Sequence, residues 1–150
     1  MNQRIPFIVL FLAIVCSMEL YAQTEVQVRL RVTADTELNQ AIVQCLEERL
    51  TAASGVRVEA DAEVQLRLIA LEQKSTDDTT FGYLFYQAGL IPSQDPTAPH
   101  VLWETLRSLP PDLPAACDRL ASDFQTRVIA PVRQSLERFR DQLQEKAPSQ

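Results

Sequence analysis

Glycine is scarce in this chain. Only Gly55, Gly82 and Gly89 occur in 150 residues, too few and too scattered for a glycine-rich phosphate loop. Histidine is scarcer still, and His100 stands alone. It shares a strand face with Glu104, but four residues along a strand span about 13 Å, so the two do not form an acid–base pair. One histidine also leaves a transition-metal site short of ligands. Lysine is limited to Lys74 and Lys146, and 20 acids against 14 Lys and Arg give a net charge of −6. That balance, with arginines interleaved among acids along the chain, argues against nucleic acid and anionic membrane surfaces as partners. The cysteines, Cys16, Cys45 and Cys117, include no Cys-x-x-Cys pair, which argues against a thioredoxin-like redox function. Ser75, Ser93 and Ser122 have no base partner, and Asp77-Asp78 lacks the spacing of a calcium loop. The expectation is a non-enzyme with no catalytic residue, metal or cofactor.

Nor is there an apolar run long enough to cross a bilayer, which takes ~20 residues. The stretch near the start, Ile5 to Val15, is about 11 residues and is preceded by Arg4. Cys16 to Ala22 follows, with a small residue at Ala22. This is the pattern of a secretory signal peptide over residues 1–22, cut between Ala22 and Gln23. An uncleaved signal anchor is the alternative. A lipoprotein processed at Cys16 is a third reading, disfavoured because Ile14 and Val15 stand where a small residue is wanted before the cysteine. Loss of the segment removes Arg4 and Glu19, one charge of each sign, so the net charge stays at −6. Residues 23–150 then make one domain, with residues 145–150 a frayed tail. The expected location is the periplasm or the exterior. Such a compartment oxidises thiols, so Cys45 and Cys117 are expected to bridge; two buried free thiols are the alternative.

What is present is period. Glu25 to Val32 alternates without a fault, Val26, Val28, Leu30 and Val32 on one face and charged or polar residues on the other. A helix over about residues 36–53 follows, with Leu38, Ile42, Cys45 and Leu46 on one face, Asp35 or Thr33 as cap and Gly55 as stop. Val56 to Glu59 is a short extended run, and Ala60-Asp61-Ala62 reads as a bulge or turn before a strand to Leu71. Phe81 to Tyr86 is a strand apolar on both faces. Residues 88–99 read as a loop, broken by Pro92, Pro96 and Pro99. His100 to Arg107 is the next strand. The last third, Asp112 to Leu143, places Leu113, Cys117, Leu120, Phe124, Val128, Val132, Leu136, Phe139 and Leu143 on a single helical stripe. Pro131 lies inside it and predicts a kink, or two helices meeting at Ala130. The order strand–helix–strand–strand–strand–helix predicts an α/β two-layer sandwich: a four-stranded mixed or antiparallel sheet with both helices on one face.

Leu46-Glu47-Glu48-Arg49-Leu50 leading to Gly55-Val56-Arg57-Val58, followed by the strand from Ala62 to Leu71, resembles small periplasmic modules. These include the LptE-type lipopolysaccharide-assembly lipoproteins and the N-terminal domain of TolB. The resemblance is one of element order and carries no catalytic motif. It implies a role in envelope assembly with an envelope protein as partner.

Ile69, Leu71, Phe81, Tyr83, Phe85 and Trp103 fall on adjacent predicted strands and form the candidate interaction patch. An apolar sheet face of that kind is seldom left bare on a soluble monomer. Two functions follow. One is a non-enzymatic envelope protein that binds another protein through its sheet face or edge. The other is a small-ligand or lipid binder with a pocket under residues 88–99.

Overall fold

Alternation makes the first strand. In the computed structural model, which describes residues 24–95 and 97–146, β1 runs Val26–Thr33. Val26 and Val28 are buried, and Gln27 and Arg31 face solvent. The segment expected to be a signal peptide, its Ala22–Gln23 cleavage pair and Cys16 lie outside the described residues. So do residues 147–150; Glu145 and Lys146, assigned to a frayed tail, are instead the last residues of a helix.

Helix α1 spans Thr36–Ala52 and buries Ile42, Leu46 and Leu50. Neither expected cap acts through its side chain: Asp35 makes no side-chain cap bond. The Asp35 carbonyl accepts from Asn39 N at 2.7 Å, and Asn39 Nδ2 donates to Val32 O at 3.0 Å. After the helix, Gly55 adopts φ 72°, a left-handed turn that glycine enters without a Cβ penalty.

The sheet has five strands, one more than expected. Val56–Val58 is a strand of its own, β2, and Val64–Lys74 is β3. Both run parallel to β1, on opposite sides of it: Val58 and Val64 are each paired with Val28. Residues 59–63 therefore carry the chain from one side of β1 to the other. The sequence marks Val56 to Glu59 as extended with a bulge or turn after it, but three residues are too few to show a period, so the run was not counted as a strand of its own. Strand β4, Thr80–Ile91, pairs antiparallel with β3, and β5, His100–Leu109, pairs antiparallel with β4. The order is β2-β1-β3-β4-β5, a mixed sheet.

Strand β4 is longer than its sequence suggested. Ala88 to Ile91, assigned to a loop, are strand residues, and Ala88, Gly89 and Leu90 are buried. The prolines begin only at Pro92, so nothing before it interrupts the ladder.

Helix α2, Leu113–Phe124, is capped by Asp112, whose Oδ1 accepts from Ala115 N at 3.1 Å. It passes into a π-helical turn, Gln125–Ile129, and then into α3, Ala130–Lys146. The N–H of Ala130 reaches back to the carbonyl of Gln125, five residues away. This turn answers the proline. The Pro131 ring lacks an N–H and would crowd the carbonyl four residues earlier; an extra residue in the preceding turn relieves that crowding without ending the helix.

Both helical elements cover the same face of the sheet. Leu46, Leu66, Phe85, Leu120, Phe124 and Val128 belong to one buried core. The long stripe is only half used: Cys117, Leu120, Phe124 and Val128 are buried, whereas Leu136, Phe139 and Leu143 are exposed. Cys45 of α1 and Cys117 of α2 lie with Cα atoms 6.3 Å apart, within the range a disulfide spans, and their sulfurs are bonded. Arg49 and Asp118 form an ion pair beside them.

Two outcomes check this packing. The Cys45–Cys117 link closes a sequence separation of 72 residues, worth about 4 kcal/mol on the chain-entropy model. Denaturant unfolding of a Cys45→Ser/Cys117→Ser variant should show a loss of that order; an unchanged midpoint would refute a stabilising link. A Cβ at Gly89 would collide with both γ-methyl groups of Val128. Gly89→Ala should therefore destabilise by roughly 1–3 kcal/mol, and a second change, Val128→Ala, should recover part of that loss.

Candidate functional site

The pleat sorts the candidate patch into two sets. Cross-strand partners share a face. Phe85 is paired with Ala70 and Arg107, and Gly89 with Leu66 and Trp103. Tyr83, Phe85 and Trp103 therefore point to the helices, not to the open face. Phe85 is fully buried, and Tyr83 packs its ring against it with centroids 5.8 Å apart. Trp103 meets Phe124 edge-on, centroids 6.4 Å apart. These three are core, which corrects their place in one continuous patch. Phe81 is exposed at the β3–β4 turn, where the register slips. Ile69 and Leu71 do lie on the open face.

That face carries other apolar residues. Register places Ile69, Tyr86 and Leu106 in one row across β3, β4 and β5, with Leu71, Leu84 and Ser108 in the next. Leu71 is 58% and Leu106 65% exposed. Tyr86 was noted among the strand aromatics but left out of the patch, because β4 is apolar on both faces and its phase is not set by the sequence alone; Leu106 of β5 was not singled out. Between this patch and the far end runs a polar row, Arg67, Ala88 and Glu104. Tyr86 OH donates to Glu104 Oε2 at 2.7 Å. That bond, with some burial and the carboxylate charge, holds the Tyr86 phenol above its ordinary pKa.

Beyond the polar row the open face is cationic. Arg29 and Arg31 of β1 stand beside Gln65 and Arg67 of β3. Interleaving along the sequence had suggested that arginines and acids alternate in space; here three arginines meet. None of the three has an ion pair or hydrogen-bond partner among the described residues. Pro92, Ser93, Asp95 and Pro99 border this end, at a concavity of about 440 Å³ also lined by Arg29, Glu63, Gln65, Arg67 and Leu90, among others. A larger cleft, about 920 Å³, opens on the helix side between the start of β1 and α3. Val26, Val64, Ile91, Leu102, Val132 and Leu136 contribute its apolar walls. His100 is exposed at the start of β5. No group of three or more potential metal ligands occurs among the described residues. No helix among them is long and apolar enough to cross a membrane.

No family model matches the chain, and no curated protein matches it. Solved structures resemble it in part. The PelC dodecamer from Paraburkholderia phytofirmans is 11% identical, with a TM-score of 0.42 over 69% of this chain and 86% of that one. Rare lipoprotein B from Shewanella oneidensis is 16% identical, with a TM-score of 0.38 over 74% of this chain and 98% of that one. A hypothetical protein from Chlamydia trachomatis is 13% identical, with a TM-score of 0.40 over 76% of this chain and 92% of that one.

The Tyr86–Glu104 bond has a spectroscopic consequence. Titration of the phenols by ultraviolet absorbance should show one tyrosine ionising above the usual range near pH 10. In Glu104→Ala that transition should move down. A transition that stays in place would mean the bond does not persist in solution.

Proposed function

We infer that this is an exported, non-enzymatic cell-envelope protein, and that it acts as an interaction or assembly-accessory module through the open face and edge of its sheet. The observation that carries the reading is the uncovered row Ile69–Tyr86–Leu106 with Leu71 beside it. Apolar area left in water is unfavourable by ~25 cal/mol per Å² relative to burial. A face used only for solvation would place polar residues there. The row also ends on β5, which is an edge strand and offers unpaired backbone groups to an added strand. Export is supported by Arg4, the apolar run Ile5 to Val15 and Ala22. The partner is an envelope protein that presents an apolar surface or an extended segment. Neither nucleic acid nor a resident cofactor enters this reading.

A second reading, ligand binding beside Pro92, Ser93, Asp95 and Pro99, is favoured by the concavity of about 440 Å³ at that place.

Leu71→Glu and Leu106→Glu put charge on exposed positions and should leave the unfolding midpoint within about 0.5 kcal/mol of the parent. In the native host, crosslinking should capture a specific envelope protein with the parent chain and lose it with either variant. Capture that survives both substitutions would rule out the sheet face as the interaction surface.

A further inference from the structure

The cationic end of the open face is at odds with the chain as a whole. The protein has a net charge of −6, with acids enough to neutralise every arginine. Yet Arg29, Arg31 and Arg67 stand on adjacent strands without an ion pair among the described residues, whereas three other arginines have one: Arg49 with Asp118, Arg57 with Glu25, Arg107 with Asp123. The β1–β3 register fixes this. Arg29 is beside Gln65 and Arg31 beside Arg67, about 5 Å apart across the ladder and about 7 Å along each strand. Those are backbone spacings, but they put three like charges on one side of the sheet, which an anion among them would relieve.

A second observation points into the same space. Gln65 is only 8% exposed. Its Nε2 and the Nε of Arg29 are both buried donors without an acceptor. Both residues line the concavity of about 440 Å³, as does Arg67. Buried donors are almost always satisfied, so this pair calls for an acceptor. Two carboxylates stand nearby. Asp95 is engaged within its own turn, its Oδ1 accepting from Thr97 N at 2.9 Å and Thr97 Oγ1 at 2.7 Å. Glu63 forms no ion pair among the described residues, and stands at the border with the larger cleft, which it also lines. The remaining walls are the apolar Leu90, Ile91, Pro92 and Pro99, and Ser93, whose Oγ is engaged with the carbonyls of Asp95 and Ala98 at 2.7 Å.

We propose that the concavity bordered by Pro92, Ser93, Asp95 and Pro99 is an oxyanion site, in which Arg29, Gln65 and Arg67 hold the phosphate or carboxylate of a small anionic ligand. Guanidinium groups bind such oxygens through charge-assisted, often paired hydrogen bonds. The Gln65 amide adds a neutral donor from the floor. Leu90, Ile91 and the two prolines cover the body of the ligand. Glu63 acts against binding, because its charge repels the same group. The proposal rests on the reading of this concavity as a ligand pocket, and is independent of the apolar row.

The test titrates the purified, isotopically labelled chain with inorganic phosphate, glucose 6-phosphate, glucuronate and, as the uncharged control, glucose. The Gln65 side-chain amide and Arg29 Nε–H resonances are followed. Binding of the anions should move both signals, and glucose should leave them still. Arg29→Gln and Arg67→Gln should each weaken binding at least about tenfold, with unfolding midpoints no lower than the parent's, since each removes a like charge from the cluster. Glu63→Gln should tighten it, which keeps the test decisive if an arginine variant misfolds. Stronger binding of glucose 6-phosphate or glucuronate than of inorganic phosphate supports an organic ligand; equal binding supports a free oxyanion. Wild-type affinity in both arginine variants overturns the proposal. A response to glucose alone overturns it while leaving a ligand pocket standing. Silence to all four probes removes both.

Discussion

The close approach of the C-terminal helix to the sheet is the constraint on which the remaining packing depends. Gly89, near the end of β4, faces the helices, and Val128 occupies the space where a Cβ would stand. Val128 belongs to the π-helical turn, so the widened turn is also a point of close contact. Two local irregularities thus meet: a glycine that removes a side chain and a π turn that shifts the following helix. From that contact Phe124 reaches Trp103, and buried Gln87 donates from Nε2 to the Leu120 carbonyl at 3.1 Å. A buried amide inside an apolar layer tolerates little sliding, because its partner must stay within hydrogen-bond range. The helix is therefore fixed in register as well as in distance.

The other half of the helical layer is tied to this one more by chemistry than by area. Helix α1 lies over the parallel part of the sheet, α2 over the antiparallel part. Cys45–Cys117 joins them covalently, and Arg49–Asp118 adds an ion pair at the surface. The exposed pair contributes little by itself. At the far end, Arg133 Nη2 donates to the carbonyls of Ser54 and Gly55 at 2.9 and 3.0 Å, and Val26 N also donates to Gly55 O at 2.9 Å. The left-handed turn at Gly55 thus gathers β1, β2 and α3. Beyond Arg133 the apolar stripe loses its contacts, and Leu136, Phe139 and Leu143 are left exposed.

Elements governed by a single period were legible in the sequence. β1 alternates because one face is wet, and α1 and the C-terminal helix show their stripes for the same reason. Where both faces are apolar, period vanishes. That is why the phase of β4 was not readable, and why Tyr83, Phe85 and Trp103 were grouped with Ile69 and Leu71 instead of with the core. The short strand β2 was hidden by its length. The π turn was foreshadowed by Pro131, which signalled a disturbance but not its form. The arginine cluster lay outside reach for a different reason. Arg29 and Arg31 are two apart, and their shared face was visible; Arg67 joins them only through the parallel pairing of β1 with β3. Charge interleaved along a chain says little about charge in space once strands pair.

The open face is the part of the molecule whose composition packing does not dictate. A face left only to water is expected to be polar throughout. This one is divided. Toward the β3–β4 turn it is apolar, with Leu71, Leu84, Ile69 and Leu106. Toward residues 92–99 it is cationic, with Arg29, Arg31 and Arg67. The row Arg67–Ala88–Glu104 separates the two, and the small side chain of Ala88 leaves Arg67 and Glu104 on either side of it. Each region carries a cost in isolation: apolar area in water in one, unneutralised like charge and buried unpaired donors in the other. Those costs have no compensating role in the core, because Ala70, Phe85 and Leu68 already fill the opposite side of the same strands. The two proposed contacts answer these costs, one with an apolar partner surface at one end and the other with an anion at the other end. Both proposed contacts therefore fall on the one face that the helices leave bare.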